Sequence, residues 1–343
     1  MTASPVSPPV IDVHAHAITA DAFRALARET PSIGLRLTDI DDRSLILAIG
    51  GVVQNPFPRS AMDLDLRFAD LALAGIDLQV ISPSPHFFLY DEPAAVTAAT
   101  SAIVNDELVA LARAHPDRFL VLGTVPLQDP AAAVAELERI MRQDCVRGVI
   151  VGTNIHGANL DSPGLEPFWE AAAALGAFIL VHPHKIAGGD RMTSYYLKNV
   201  IGNPLETTIA AGCLLYSGVL DRYPALKVCL SHGGGFLPYQ SGRFRHGWNV
   251  RPQDRGRATG GLDAGLGRLL YDTILHDEAN LQFLVDQAGP ARVMLGSDYP
   301  FDMGTLEGVR QVRRLPIGEE AKGALLRGTA ERLLAKSPVA ALA

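Results

Sequence analysis

Eight short apolar runs recur along this 343-residue chain, and amphipathic stretches separate them. The runs at 10–14, 76–82, 119–125, 148–152, 178–182, 227–232, 269–273 and 292–297 are mostly bounded by Gly, Pro, Asp or Ser. Strands buried on both faces read this way, as near-continuous apolar segments rather than alternating ones. Helical patterns fill the gaps at 93–114, 130–142, 167–175, 204–220, 278–288 and 319–334. Several open on proline in the first turn, where its missing N–H costs nothing, and Asp277 stands as an N-cap before Glu278. Eight strands alternating with helices in a chain of this length predict an α/β fold, a (β/α)8 TIM barrel in a single domain spanning 1–343. A doubly wound sheet would place a glycine-rich turn after its first strand, and here that turn carries histidines. The stretch 17–63, with Gly50-Gly51 and Pro56-Phe57-Pro58, is expected to be an insertion after the first strand that folds over the barrel mouth. Residues 338–343 read as a tail.

The polar residues that end these runs carry the chemistry. Ile11-Asp12-Val13-His14-Ala15-His16 places two imidazoles two residues apart, on one face of a strand. Later runs deliver His182, His232 and Asp298 at their C-terminal ends. One histidine at a strand end is ordinary hydrogen-bonded structure, and His86, His115, His156, His246 and His276 are read so. The joint placement of His14, His16, His182 and Asp298 on one barrel face is different, because a parallel barrel assembles a catalytic metal centre from such strand ends. Three neutral imidazoles and one carboxylate suit a single divalent ion, Zn²⁺ first and Mn²⁺ as its rival. A fifth protein ligand would crowd out substrate. His232, followed by Gly233-Gly234-Gly235, is therefore assigned to proton transfer, a role open to an imidazole near neutral pH. Asp12 is either a partner to a ligand or a strand-terminal residue.

Composition removes several alternatives. A net charge of −7 argues against a nucleic-acid or polybasic membrane surface. No run of about 18 apolar residues is present, so no membrane span is expected. Residues 1–9 show neither a basic start nor an apolar stretch, so no leader is expected. Cys145, Cys213 and Cys229 lack metal-type spacing and are odd in number, which suits a reducing, cytoplasmic setting. Cys229 reads as core.

Across nearly its whole length the chain resembles the aminocarboxymuconate semialdehyde decarboxylase branch of the amidohydrolase superfamily. The resemblance rests on Ile11–His16 and on Gly123-Thr124-Val125-Pro126-Leu127-Gln128-Asp129, and continues through Leu180-Val181-His182-Pro183 and Gly188-Gly189-Asp190-Arg191-Met192. It ends with Ser231-His232-Gly233-Gly234-Gly235 and Met294-Leu295-Gly296-Ser297-Asp298-Tyr299-Pro300-Phe301. It implies that His14, His16, His182 and Asp298 bind the metal and that His232 activates water or shuttles a proton. It also implies that Phe301 packs on the substrate, and that Arg243 holds the substrate carboxylate by reaching in from a neighbouring subunit of a homodimer or larger assembly. In two places the sequence departs from the pattern. Asn55 stands where a second carboxylate-binding arginine is expected, with Arg59 close behind, and His184, followed by Lys185, replaces the tryptophan after the His-Pro pair. These changes imply a different substrate, with Arg59 or Lys185 as candidate anion partners.

The implied activity is non-oxidative decarboxylation of a small aromatic or unsaturated carboxylic acid carrying hydroxyl or amino groups, with Asp298 or His232 supplying the proton. Metal-dependent hydrolysis of an amide, lactone or carbon–carbon bond, or hydration of a ring-cleavage product, would use the same groups. A purely structural metal protein would need a closed coordination sphere.

Overall fold

The computed structural model describes residues 8–336. The expected tail at 338–343 and most of the N-terminal segment examined for a leader lie outside the described residues. Eight parallel strands pair in chain order: β1 (Ile11–His16), β2 (Leu78–Ser82), β3 (Phe119–Gly123), β4 (Val146–Gly152), β5 (Phe178–His182), β6 (Lys227–Leu230), β7 (Leu270–Asp272) and β8 (Val293–Met294). The sheet closes on itself. Val13 N–H donates to Leu295 O (2.8 Å), His16 N–H to Tyr299 O (2.6 Å) and Asp298 N–H to His14 O (2.8 Å). The result is the expected (β/α)8 barrel, and every residue of β1 and β5 is buried, the physical reason their sequences do not alternate. Gly148 belongs to this packing, since a Cβ there would meet Phe178 O at 1.9 Å.

Each strand is followed by helix. Ala94–Ala114 has the length and composition of a bilayer-crossing helix, yet it buries Val104, Leu108, Val109 and Ala112 in the barrel core. The predicted helix 204–220 is broken into Asn203–Tyr216 and Val219–Arg222, because Gly218 takes φ +75° with the Ala258 backbone only 2.7 Å from where a Cβ would sit. The predicted helix 319–334 is interrupted by a π turn at Ala324–Gly328. The stretch 17–63 holds the helix Ala20–Glu29 and an antiparallel sheet of Arg36–Asp39, Ser44–Ile49 and Val52–Pro58.

The closing seam is held by a buried polar network. Asp12 Oδ1 accepts from the N–H groups of His14 (3.1 Å) and Ser297 (3.0 Å), and its Oδ2 accepts from Ser297 Oγ (2.5 Å) and Gln79 Nε2 (2.8 Å). Gln79 Oε1 in turn accepts from Arg67 Nη1 (2.8 Å), while Arg67 Nη2 donates to His16 O (2.5 Å). The Arg67 guanidinium also lies 4.8 Å over the Tyr299 ring. Asp12, Arg67 and Gln79 are all fully buried. Gln79→Ala would strip a partner from both buried charges at once, and is expected to lower stability by about 3–5 kcal/mol in denaturant unfolding. A loss below about 1 kcal/mol would show that the network contributes little.

Candidate metal centre and active site

The sequence-predicted ligands converge at the C-terminal ends of β1, β5 and β8. Asp298 Oδ1 lies 3.0 Å from His16 Nε2, 3.4 Å from His14 Nε2 and 3.9 Å from His182 Nε2. The Nε2 atoms of His14 and His16 are 3.2 Å apart. Donors held about 2.0–2.1 Å from a tetrahedral ion stand roughly 3.3 Å from one another, so these spacings fit a single small cation.

The opposite ring nitrogens decide which protons are present. His14 Nδ1 donates to Asp272 Oδ2 at 2.8 Å, His16 Nδ1 to Pro83 O at 3.1 Å, and His182 Nδ1 to Pro183 O at 3.2 Å. With each Nδ1 proton committed, three Nε2 lone pairs point into one buried volume beside a carboxylate oxygen. His182 Nε2 has no hydrogen-bond partner despite complete burial, as expected of an atom whose partner is a cation. Burial pushes the His182 imidazole down to about 3 and also lowers His16, which keeps both neutral. For His14, burial is outweighed by the Asp272 hydrogen bond and the Asp298 charge, and its pKa rises. Burial alone would raise Asp298, but the imidazoles of His16, His182, His232 and His14 hold it well below the usual carboxylate range. The donor set fits a divalent ion.

His232 faces the other carboxylate oxygen, its Nε2 3.4 Å from Asp298 Oδ2. Its ligand-type nitrogen also lies within 4.8 Å of those of His14 and His182 and of a carboxylate oxygen of Asp298. What separates it from His14, His16 and His182 is its Nδ1, which among the described residues meets only the Ser231 hydroxyl at 3.4 Å, a group able to donate or accept. Both His232 and Asp298 hold positive φ (53° and 55°), an uncommon conformation for residues with a Cβ. Asp272 fixes the first of these turns by accepting from the N–H groups of His232 (2.9 Å) and Gly233 (2.8 Å). Sequence reasoning placed the seventh strand but passed over Asp272. Its signal was available, a carboxylate at the C-terminal end of a barrel strand.

A cavity of about 780 Å³ opens on His182, His232 and Asp298. Phe301 forms part of its wall, 5.2 Å from the His16 ring and 6.2 Å from that of Phe57 in the 17–63 stretch. Among the described residues lining it none is Lys or Arg, and the acids are Asp298 and Asp302. Several expected substrate contacts lie elsewhere within this chain. Asn55 is exposed, and Gln54 takes the cavity position, because a register shift in the strand pairing between Leu45 and Leu47 sets which residues face inward. Arg59 is engaged by Asp39 and by Asp41 O (2.7 Å). Lys185 pairs with Asp91. His184 sits edge-on to Phe88 and Tyr90, and burial pushes it down to about 4. Arg243 is exposed on the helix Leu237–Val250. His86 and His276, read from sequence as structural, both line the cavity.

A sequence profile of the amidohydrolase family matches residues 11–336. The chain is 34% identical over 295 residues to 2-amino-3-carboxymuconate-6-semialdehyde decarboxylase of Dictyostelium discoideum, covering 85% of this chain and 82% of that one. Among solved structures it is similar to apo IDCase of Metarhizium anisopliae, with a TM-score of 0.80, 26% identity and 96% and 97% of the two chains covered. It shares its fold with a dihydroxybenzoic acid decarboxylase of Polaromonas sp. JS666, solved with manganese and 2-nitroresorcinol (TM-score 0.76, 22% identity, 96% and 97% covered).

Proposed function

From the premise that the chain belongs to the amidohydrolase family, in its aminocarboxymuconate semialdehyde decarboxylase-like branch, we propose a metal-dependent, non-oxidative decarboxylase of an aromatic or unsaturated carboxylic acid. The observation that carries this reading is the division of Asp298, with one oxygen among three anchored imidazoles and the other against His232, at the floor of an open cavity. His14, His16, His182 and Asp298 would hold one divalent ion. Its donor set favours Zn²⁺, and Mn²⁺ is the ion carried by the Polaromonas relative. Such an ion, when bound, supplies positive charge next to the carbon that loses its carboxylate.

The chain's own residues supply the rest. Phe301 offers a flat face to a conjugated substrate. His232, free to exchange its ring proton through Nδ1, delivers a proton to the vacated carbon. The carbon–carbon bond breaks, its electron pair stays on the substrate, and that pair takes the proton as CO₂ leaves, so no redox partner is required. Asp298, ionised here, is the second candidate as a relay that takes the proton from His232 through the oxygen that faces it and passes it on. The absence of lysine and arginine among the described residues of the cavity wall supports a substrate with one carboxylate. Arg243 fits a role across a subunit boundary, since it is exposed here, and a homodimer or larger closed assembly would bring it to a neighbour's cavity. Three unpaired cysteines support a cytoplasmic location.

The reading is tested by incubating the metal-loaded protein with hydroxybenzoates, resorcylates and hydroxypicolinates in deuterated buffer. Released CO₂ with deuterium at the vacated carbon is the expected result. Solvent oxygen at a cleaved bond, without CO₂, would move the assignment to a hydrolase. Sedimentation should give a dimer or larger species, with Arg243→Ala weakening substrate use while leaving metal content intact. A monomer that turns over at full rate would refute the cross-subunit role.

A further inference from the structure

We propose that His86 is a specificity-determining residue of this cavity, a neutral imidazole whose Nε2–H donates a hydrogen bond to an oxygen on the substrate ring other than the leaving carboxylate. The inference rests on the decarboxylase reading for the word substrate, and on geometry for the rest.

His86 lines the cavity from the loop after β2. Ser84 Oγ lies 2.5 Å from His86 Nδ1 and accepts weakly from the His86 backbone N–H at 3.4 Å. The Ser84 hydroxyl can donate to Nδ1 or accept from it; among the described residues its one hydrogen has no acceptor other than His86 Nδ1, and the arrangement that satisfies it leaves Nδ1 unprotonated. The ring proton then resides on Nε2, which has no partner among the described residues. Burial, with a smaller contribution from the nearby His16, pushes this imidazole down to about 4, so near neutrality it is a neutral donor.

Its place in the cavity gives it a ligand. The His86 ring stands 6.1 Å from Phe301 and 6.3 Å from Phe57, and Phe301 stands 5.2 Å from His16. Phe301 thus neighbours both the ligand cluster and His86, and a flat acid stacked on it and bound at the cluster would turn its other ring substituents toward the cavity wall that includes His86. A packing role alone would be met by any aromatic side chain, whereas a positioned donor selects acids whose second edge carries a hydroxyl or carbonyl oxygen. A site built around a buried donor rejects a ligand lacking the acceptor far more strongly than an apolar pocket rejects an added group.

Calorimetric titration of the metal-loaded protein with matched benzoates, each with and without one ring hydroxyl, tests this without requiring turnover. Wild type is expected to favour at least one hydroxylated member by about tenfold or more. His86→Phe should bring that ratio near one by weakening the hydroxylated ligand alone, and His86→Asn should restore part of it. Melting temperature and metal content establish that both variants fold. Nitrogen-15 spectra of ring-labelled protein should show His86 protonated at Nε2. An unchanged ratio in His86→Phe, no preference or no binding in wild type, or a proton on Nδ1 would each overturn the proposal. Absence of CO₂ from every compound would instead count against the decarboxylase reading, while the binding ratio stood.

Discussion

His232→Ala is expected to keep its divalent ion and to lose about 10² to 10⁴ in the rate of CO₂ release, the usual cost of removing a positioned acid–base group. The expectation follows from the ring's two nitrogens. Its Nε2 reaches Asp298 Oδ2 rather than the oxygen shared by the other imidazoles, and its Nδ1 is not committed to a carbonyl or carboxylate. His14, His16 and His182 are committed in that way and cannot shuttle a proton without breaking the anchor. Metal analysis of the purified variant is the decisive control. A metal-free His232→Ala protein would move His232 into the ligand set, which its proximity to His14, His182 and Asp298 permits on distance alone.

His14→Ala and His182→Ala should lose most of the bound metal and, with it, measurable activity. Both side chains are buried and close on the same carboxylate oxygen, so each removal takes away an anchored nitrogen from the set. Elemental analysis after dialysis checks this, and full occupancy in both variants would dismiss the assignment. Asp272→Asn provides a graded comparison. It keeps every ligand but alters the acceptor for His14 Nδ1, and such outer partners typically contribute about 10–100-fold in metal affinity or activity.

Much of this was legible in the sequence because it is local. Apolar runs that end in His or Asp mark both the strand and its chemical payload, so His14, His16, His182, His232 and Asp298 could be picked out together. What escaped the reading depends on partners far along the chain. Asp272 became significant only when β7 came beside β6 and brought its carboxylate under the N–H groups of His232 and Gly233. Gln54, which faces the cavity in place of Asn55, was not singled out because an irregular strand register is not visible in residue order. His86 looked like loop structure until Phe57 and Phe301 framed it. Arg67 and Gln79 gave no signal, since a buried cation is recognisable only by what surrounds it.

The seam between β1 and β8 sets an order of events during biosynthesis. His16 and Asp298 lie 282 residues apart in sequence yet share a 3.0 Å contact, so two of the ligands proposed for the ion come from opposite ends of the message. At about 5–20 residues per second the ribosome would need roughly 15–55 seconds to deliver Asp298 after His16. Throughout that interval the paired histidines lack the carboxylate that completes their set. On the proposed ligand set, a truncated or stalled nascent chain lacks the carboxylate that completes the site until the final strand has been translated.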